Sequence, residues 1–528
     1  MAARTIARRH LADSRIRDGC FALLFALVAW ANVSGYRTTY PTLGERIAFA
    51  RSFGGNASVR IFYGEPFDLL SVGGYTAWRV GGFLAILAGV WGLLAAVRAL
   101  RGEEDAGRYE LILAAPVGRA SAYLAALAAI AVGALAMWAA LLAGLVAGGL
   151  AAGPSAYLAL AVIAPVPFFA GVGAVASQLA PARRIALELS VGVLAVALVT
   201  RMIADTSSGL AWLRWGTPLG WSEEMRPFTG ARPLALVPSL LGGGLLLALA
   251  GAAAVRRDVG AGLLPARDRA RPRLRGLSSP AALAARRERG SMAAWTAGVA
   301  FFALIVGLVS TSVSSAGISG RLQQELRRLG AVSITTPAGY ISFAFLFFVL
   351  ATSLFCAAQV AAARAEEAEE RLETMISLPV SRHRWLGGRL LLALAGAAAL
   401  AFAAALFAWL GARAEGAPVP LGRMLEAGAN CLPAALLFLG VGSLAYGLVP
   451  RASAAVAYGA VVVAFVWELF GGLLGAPGWL LDLSPFRHIG FVPAQSFRAG
   501  DAAVMAAIGT AGCAAALWAF RRRDLAGR

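Results

Sequence analysis

Two stretches of this chain repeat acids and bases at the same spacing. Residues 101–119 read RGEEDAGRYELILAAPVGR, and residues 364–382 read RAEEAEERLETMISLPVSR. Eight of the nineteen positions are identical: Arg101/Arg364, Glu103/Glu366, Glu104/Glu367, Arg108/Arg371, Glu110/Glu373, Pro116/Pro379, Val117/Val380 and Arg119/Arg382. Such a set suits electrostatic docking better than bond-making. Glu104 and Arg108 stand four apart, as do Glu367 and Arg371, in the order that favours an ion pair across one helical turn. Tyr109, Ile112 and Leu113 would line an apolar stripe, matched by Leu372, Met375 and Ile376. Pro116 and Pro379 then end each helix and re-aim the chain. Each stretch is therefore expected to form a short amphipathic helix. A joining loop needs no fixed pattern of Glu, Arg and Pro; a docking surface does.

Other chemistries find little footing. The four cysteines, Cys20, Cys356, Cys431 and Cys513, are scattered through apolar sequence and read as small core residues. His10, His383 and His488 are too dispersed for a metal site. No nucleophile-base set or cofactor motif is found, so the chain reads as a non-enzyme. All 47 basic residues are Arg. A phosphate-binding loop of the Walker type needs a Lys, so the chain holds no such loop.

The elements that must position the two stretches are membrane spans. The chain has 528 residues, of which 59% are hydrophobic and 14% charged. The apolar residues fall in blocks long enough to cross a bilayer. Twelve spans are expected at about 19–36, 77–98, 120–148, 155–178, 184–204, 233–255, 293–314, 339–362, 385–411, 427–448, 453–475 and 502–520. By this topology most of the arginines lie on one side, which makes that side cytoplasmic and places both termini there. The net charge of +19 is thus matched to anionic lipid rather than to nucleic acid. Ala29-Trp30-Ala31 resembles a signal cleavage site, but loss of the first span would put the basic C-terminus on the wrong side, so a retained helix is expected. Residues 1–18 are expected to form an amphipathic interfacial helix.

Further matches extend the repeat. GVGAVASQLAP at 171–181 aligns with GVGSLAYGLVP at 440–450, and Arg256-Arg257-Asp258 aligns with Arg522-Arg523-Asp524. The expected architecture is an all-α polytopic membrane protein built from two homologous six-helix halves. The first half spans 19–255, a basic linker 256–292, and the second half 293–528. Four outer loops, 37–76, 205–232, 315–338 and 476–501, are long enough to fold over the exit. Leu322, Leu326 and Leu329 predict a short surface helix, and Trp212, Trp215 and Trp221 predict interfacial anchors. Within the spans, Arg201 and Glu468 stand at matching depth. An intramembrane ion pair between them is expected; a charge-swapped double variant no better than either single one would refute it.

The pattern E-E-x-x-x-R-x-E-x5-P-V-x-R, after span two and before a long span three, resembles the coupling-helix region of ABC-2 type permeases. The whole chain resembles the fused, twelve-span actinobacterial permeases described as exporters of polyketide antibiotics. Supporting stretches are Thr39-Tyr40-Pro41-Thr42 with Gly54-Gly55-Asn56, Pro218-Leu219-Gly220-Trp221 before Arg226-Pro227-Phe228, and the run from Arg257 to Pro265. The second copy departs from the first at Glu369-Glu370, where the first has Ala106-Gly107.

That resemblance implies an ABC-2, type V exporter-like fold in the bacterial cytoplasmic membrane. It also implies a separate ABC ATPase, expected as a homodimer on one copy of this chain, with ATP and Mg on that partner and no cofactor here. Glu103, Glu104, Arg108, Glu110, Pro116 and Arg119, with Glu366, Glu367, Arg371, Glu373, Pro379 and Arg382, would couple ATP hydrolysis to transport. The cargo would be a hydrophobic or amphipathic antibiotic, drug or lipid. The rival readings are a proton-coupled secondary multidrug transporter, with Glu468 as carrier, and a non-transporting scaffold or sensor.

Overall fold

The computed structural model describes residues 2–54, 60, 63–205, 208–264, 279–315, 336–470 and 477–525. Every element among them is helical. Twelve helices are long and apolar enough to cross a membrane: Arg4–Thr39, Val72–Asp105, Arg119–Ala147, Ala152–Leu179, Arg183–Ala204, Pro233–Arg256, Pro280–Thr311, Pro337–Ala368, Arg382–Ala414, Leu421–Leu448, Pro450–Glu468 and Ala499–Arg522. The protein is an all-α polytopic membrane protein, and each predicted span overlaps one of these, with 471–475 of the eleventh outside the described residues. The chain divides into two compact units, Met1–Ala270 and Arg271–Arg528. That boundary falls inside the stretch read as a linker.

The first unit packs span one against span three, and span four against span six. Spans two and four are its centre, with 61% and 72% of their apolar windows buried, whereas span six has 22%. The second unit follows the same scheme. Span seven packs on span nine and span ten on span twelve, while spans eight and ten bury 67% and 61%. Lipid is as apolar as Leu, so helices in a membrane gain by close backbone approach rather than by hiding apolar surface. Small residues supply that approach. A Cβ on Gly307 would stand 2.1 Å from the Ala408 carbonyl, and one on Gly411 would stand 2.3 Å from that of Leu304. Gly440 and Gly509 make the equivalent contact between spans ten and twelve.

Residues 2–39 form one unbroken helix. The stretch expected to lie on the membrane surface therefore continues directly into span one. The first outer segment opens with a reciprocal cap. Glu45 Oε2 accepts from the Thr42 backbone N–H at 3.0 Å, and the Thr42 hydroxyl accepts from Glu45 N at 3.3 Å. Trp212 and Trp215 are exposed, and Trp221 packs edge-on against Phe168. The helix expected around Leu322, Leu326 and Leu329 lies outside the described residues, as do Gly55, Asn56 and Pro265. Cys356 and Cys431 are buried and Cys513 is partly so, but Cys20 is exposed on span one.

Candidate functional site

Both charged stretches fold along the same local path, each at an end of its own unit. In the first, span two runs into the turn Arg101–Asp105. Gly107 then takes a left-handed conformation at φ 69°, and a separate short helix, Arg108–Leu113, follows. In the second, Pro337–Ala368 ends beside Glu370, also left-handed at φ 60°, and Arg371–Ile376 follows. Glu370 occupies the place of Gly107 and adopts its backbone conformation despite its side chain, at a cost of about 1–2 kcal/mol.

These left-handed residues overturn the predicted ion pairs. Glu104 does not pair with Arg108, and Glu367 does not pair with Arg371. A residue at positive φ breaks the helix between the partners, so the geometry that brings positions four apart together is lost. Arg108 instead grips Glu103 with two hydrogen bonds, Nη2 to Oε1 at 2.6 Å and Nε to Oε2 at 3.0 Å. Those bonds hold the Arg108 guanidinium above its ordinary pKa. Arg371 pairs at 2.5 Å with Glu369, and both are exposed.

The paired glutamates turn inward and anchor the stretch. Glu104 accepts from Arg101 at 2.9 Å and from Arg257 Nη2 at 2.5 Å. Arg257 follows span six, so Glu104 ties the end of span two to the end of the unit's last span. Arg101, almost fully buried, also donates to the carbonyls of Gly260 and Ala261 at 2.9 and 3.0 Å and to that of Pro181. Glu103 takes a third bond, from Arg9 of the first helix at 3.3 Å. Asp105 accepts from the Arg183 backbone N–H at 2.6 Å and so holds the start of span five.

The second unit uses the same logic. Glu367 receives both arms of Arg523, at 2.6 and 2.8 Å, and Arg523 follows span twelve. Burial works against the charge on Arg523, but the bonds to Glu367 outweigh it and its pKa is raised. Glu366 meets Arg287 of the helix containing span seven at 3.0 Å and Arg389 of span nine at 2.5 Å. Arg389 also holds Glu288 at 2.5 Å. The last arginine of each stretch closes the loop. Arg119 donates to the Arg257 carbonyl at 2.7 Å, and Arg382 donates to the Arg523 carbonyl at 2.5 Å.

Of the predicted residues, Glu103, Glu366 and Glu367 are therefore buried and Glu104 is half-buried, with 7% of its side chain exposed, whereas Glu110, Pro116, Glu373 and Pro379 are exposed with Arg108 and Arg371. Ile112 and Leu372 point inward, and Tyr109, Leu113, Met375 and Ile376 are half-buried, so the apolar stripe seats each short helix on its unit. Leu111 and Leu378 stand out from it, 74% and 60% exposed. Sequence reasoning did not assign Arg9, Arg257, Arg287, Arg389 or Arg523 to this site. For Arg257 and Arg523 a signal existed: they align in the Arg-Arg-Asp match.

Arg201 is placed apart from these anchors. Its Nε lies 3.0 Å from Asp205 and 3.3 Å from Glu223. Asp205 also accepts from Arg214 at 2.7 Å, and Arg214 contacts Glu65 at 2.6 Å. The charge of Arg201 is thus met inside its own unit. Asp205 caps the end of the span-five helix and Glu223 lies in the short helix Pro218–Glu224, within the stretch read as an outer loop. Glu468 lies half-buried at the end of the Ser453–Phe470 helix, next to Trp467, whose indole donates to the Leu480 carbonyl at 3.0 Å.

The chain matches a described protein family over most of its length. The family described as "Multidrug efflux system permease Rv1217c, C-terminal domain" matches residues 56–256 and 277–521. One relative, "Multidrug efflux system permease protein Rv1217c" of Mycobacterium tuberculosis (strain ATCC 25618 / H37Rv), is 32% identical over 530 residues, covering 98% of this chain and 94% of that protein.

Proposed function

Because the chain belongs to the family of multidrug efflux system permeases, we propose that it is the membrane-spanning subunit of an ATP-driven ABC-2 type exporter whose ATPase is a separate polypeptide. The cargo is a hydrophobic or amphipathic compound, such as a drug, antibiotic or lipid. One observation carries the reading: in each unit the segment just before the left-handed residue is tied to several other spans through Glu–Arg pairs, and a short helix with an exposed outer face follows directly from it. A rigid lever of this kind passes a push on its outer face to the spans behind it. A loose joining loop would dissipate it.

Several features support this reading. With no Lys in the chain, nucleotide chemistry must come from elsewhere. We read the two units as products of a duplication, so that one chain offers two docking helices to an ATPase homodimer. The Arg-rich side faces the cytoplasm of a bacterium, with both termini there.

Vesicles that contain the chain and its ATPase supply the test. Inside-out vesicles should accumulate a drug such as a tetracycline or an anthracycline when given ATP and Mg, and a protonophore should leave that flux intact. Flux that needs no nucleotide and stops with the protonophore would identify a proton-coupled carrier instead. Absence of flux under both regimes would return the chain to a scaffold or sensor.

A further inference from the structure

At the Arg-rich end of the first unit a cavity opens between the first helix, span two and the Arg108–Leu113 helix. Arg9, Arg17, Arg98 and Arg108 line it. Its carboxylates are already engaged. Asp18, buried on span one, takes Arg17 at 2.9 Å and the Trp91 indole N–H at 3.0 Å. Glu103 is held by Arg108, and Asp13 lies 3.7 Å from Arg9. Four arginines thus face three carboxylates in the lining. Arg98, in the last turn of span two, is exposed and among the described residues makes no ion pair.

The opposite wall is apolar. Ala126, Ala129 and Ile130 of span three form it, with the ring of Trp91 beneath. A cavity with a basic lip and an apolar wall, set where three spans meet the Arg-rich face, matches one ligand chemistry: a phosphate carried on an acyl chain. Basic pockets between helices at that depth attract anionic headgroups. A free phosphate ion would satisfy Arg98 but leave the apolar wall unused.

We propose that this cavity binds the phosphate headgroup of an anionic membrane lipid, with Arg98 as its free cation and Arg9 and Arg17 beside it. Arg108 opens the short helix, Glu103 grips it from the end of span two, and both line the cavity, so an occupied cavity adds a third body to the joint between the first helix and that short helix. The site goes beyond the transport reading and stands whether or not an ATPase docks on the same face.

Native mass spectrometry of the purified full chain in neutral detergent tests it. Phosphatidylglycerol should be retained in preference to phosphatidylcholine of the same acyl chains. Arg98→Gln should weaken that retention about fivefold, and Arg98→Lys, which keeps the charge, should not. Arg184→Gln serves as control: Arg184 is exposed, pairs with Glu188 at 2.8 Å and lies outside the cavity, so retention should be unchanged. Inorganic phosphate in excess should not displace the lipid. Equal retention of the two lipids, equal losses from Arg98→Gln and Arg184→Gln, or full displacement by inorganic phosphate would each overturn the assignment. Thermal unfolding of both variants checks that the fold is intact, as exposure of the two side chains leads us to expect.

Discussion

Arg523→Ala should destabilise the second unit by about 3–5 kcal/mol, the cost of stranding one member of a buried ion pair. Glu367 has only 1% of its side chain exposed, and Arg523 meets it with two parallel hydrogen bonds at 2.6 and 2.8 Å. Removing the guanidinium takes away the best-aligned donors of a buried carboxylate and leaves Arg364 at 3.8 Å beside it. The substitution also frees the end of span twelve from span eight. Arg521→Ala is the control, since Arg521 is exposed two residues away and should change stability by less than about 0.5 kcal/mol. Arg523→Lys should recover part of the loss but not all, because an ammonium cannot match the carboxylate with two parallel bonds. Neutralising the buried acid should help as well, so Glu367→Gln in the Arg523→Ala background should melt higher than Arg523→Ala alone. Thermal unfolding in detergent reads all four variants. If Arg523→Ala and Arg521→Ala melt together, the buried anchor contributes nothing and the lever is not rigidly held.

The opposite pattern is expected on the outer face of the same two helices. Glu110 and Glu373 are exposed and occupy matching positions. Glu110→Lys combined with Glu373→Lys should leave the melting temperature unchanged, since exposed charges away from special geometry matter little to folding. It should cut drug efflux and stimulated ATP hydrolysis by an order of magnitude or more, because placing like charge against a partner costs several kcal/mol. Leu111 on the first short helix and Leu378 just past the end of the second, both exposed, make the companion test: Leu111→Ser with Leu378→Ser should weaken partner capture without changing the fold. Full coupling in both double variants would mean that the ATPase does not bind through these helices. The two experiments separate anchoring from docking: the first moves stability, the second moves activity.

The contrast between Glu103 and Glu110 shows where sequence reading stops. Both stand in the repeated pattern, and both were assigned to docking. One is buried under Arg9 and Arg108; the other is exposed. Seven residues apart on an uninterrupted helix they would share a face. The left-handed turn at Gly107 puts them on different bodies. The same turn, made by Glu370 in the second unit, removed both predicted ion pairs. A lone Glu at positive φ has no signature in composition or spacing; only its alignment with Gly107 hinted at it. Arg201 makes the same point in another place. Its depth in span five suggested a partner in a distant span, but Asp205 caps its own helix one turn along and Glu223 lies in the short helix Pro218–Glu224 that follows.

Span number and the rough place of each span were legible in the residues, because hydropathy is a local sum and a bilayer demands about twenty apolar residues of any helix that crosses it. The doubled charge pattern was equally plain, since aligned text needs no coordinates. Which arginine meets which glutamate was not. Glu104 finds Arg257 across 153 positions of chain, and Glu367 finds Arg523 across 156. Contacts at that separation depend on how spans pack, and packing among membrane helices turns on glycine-scale approaches that carry no periodic mark. Tertiary structure therefore decided which charges are drawn into buried ion pairs and which stay exposed.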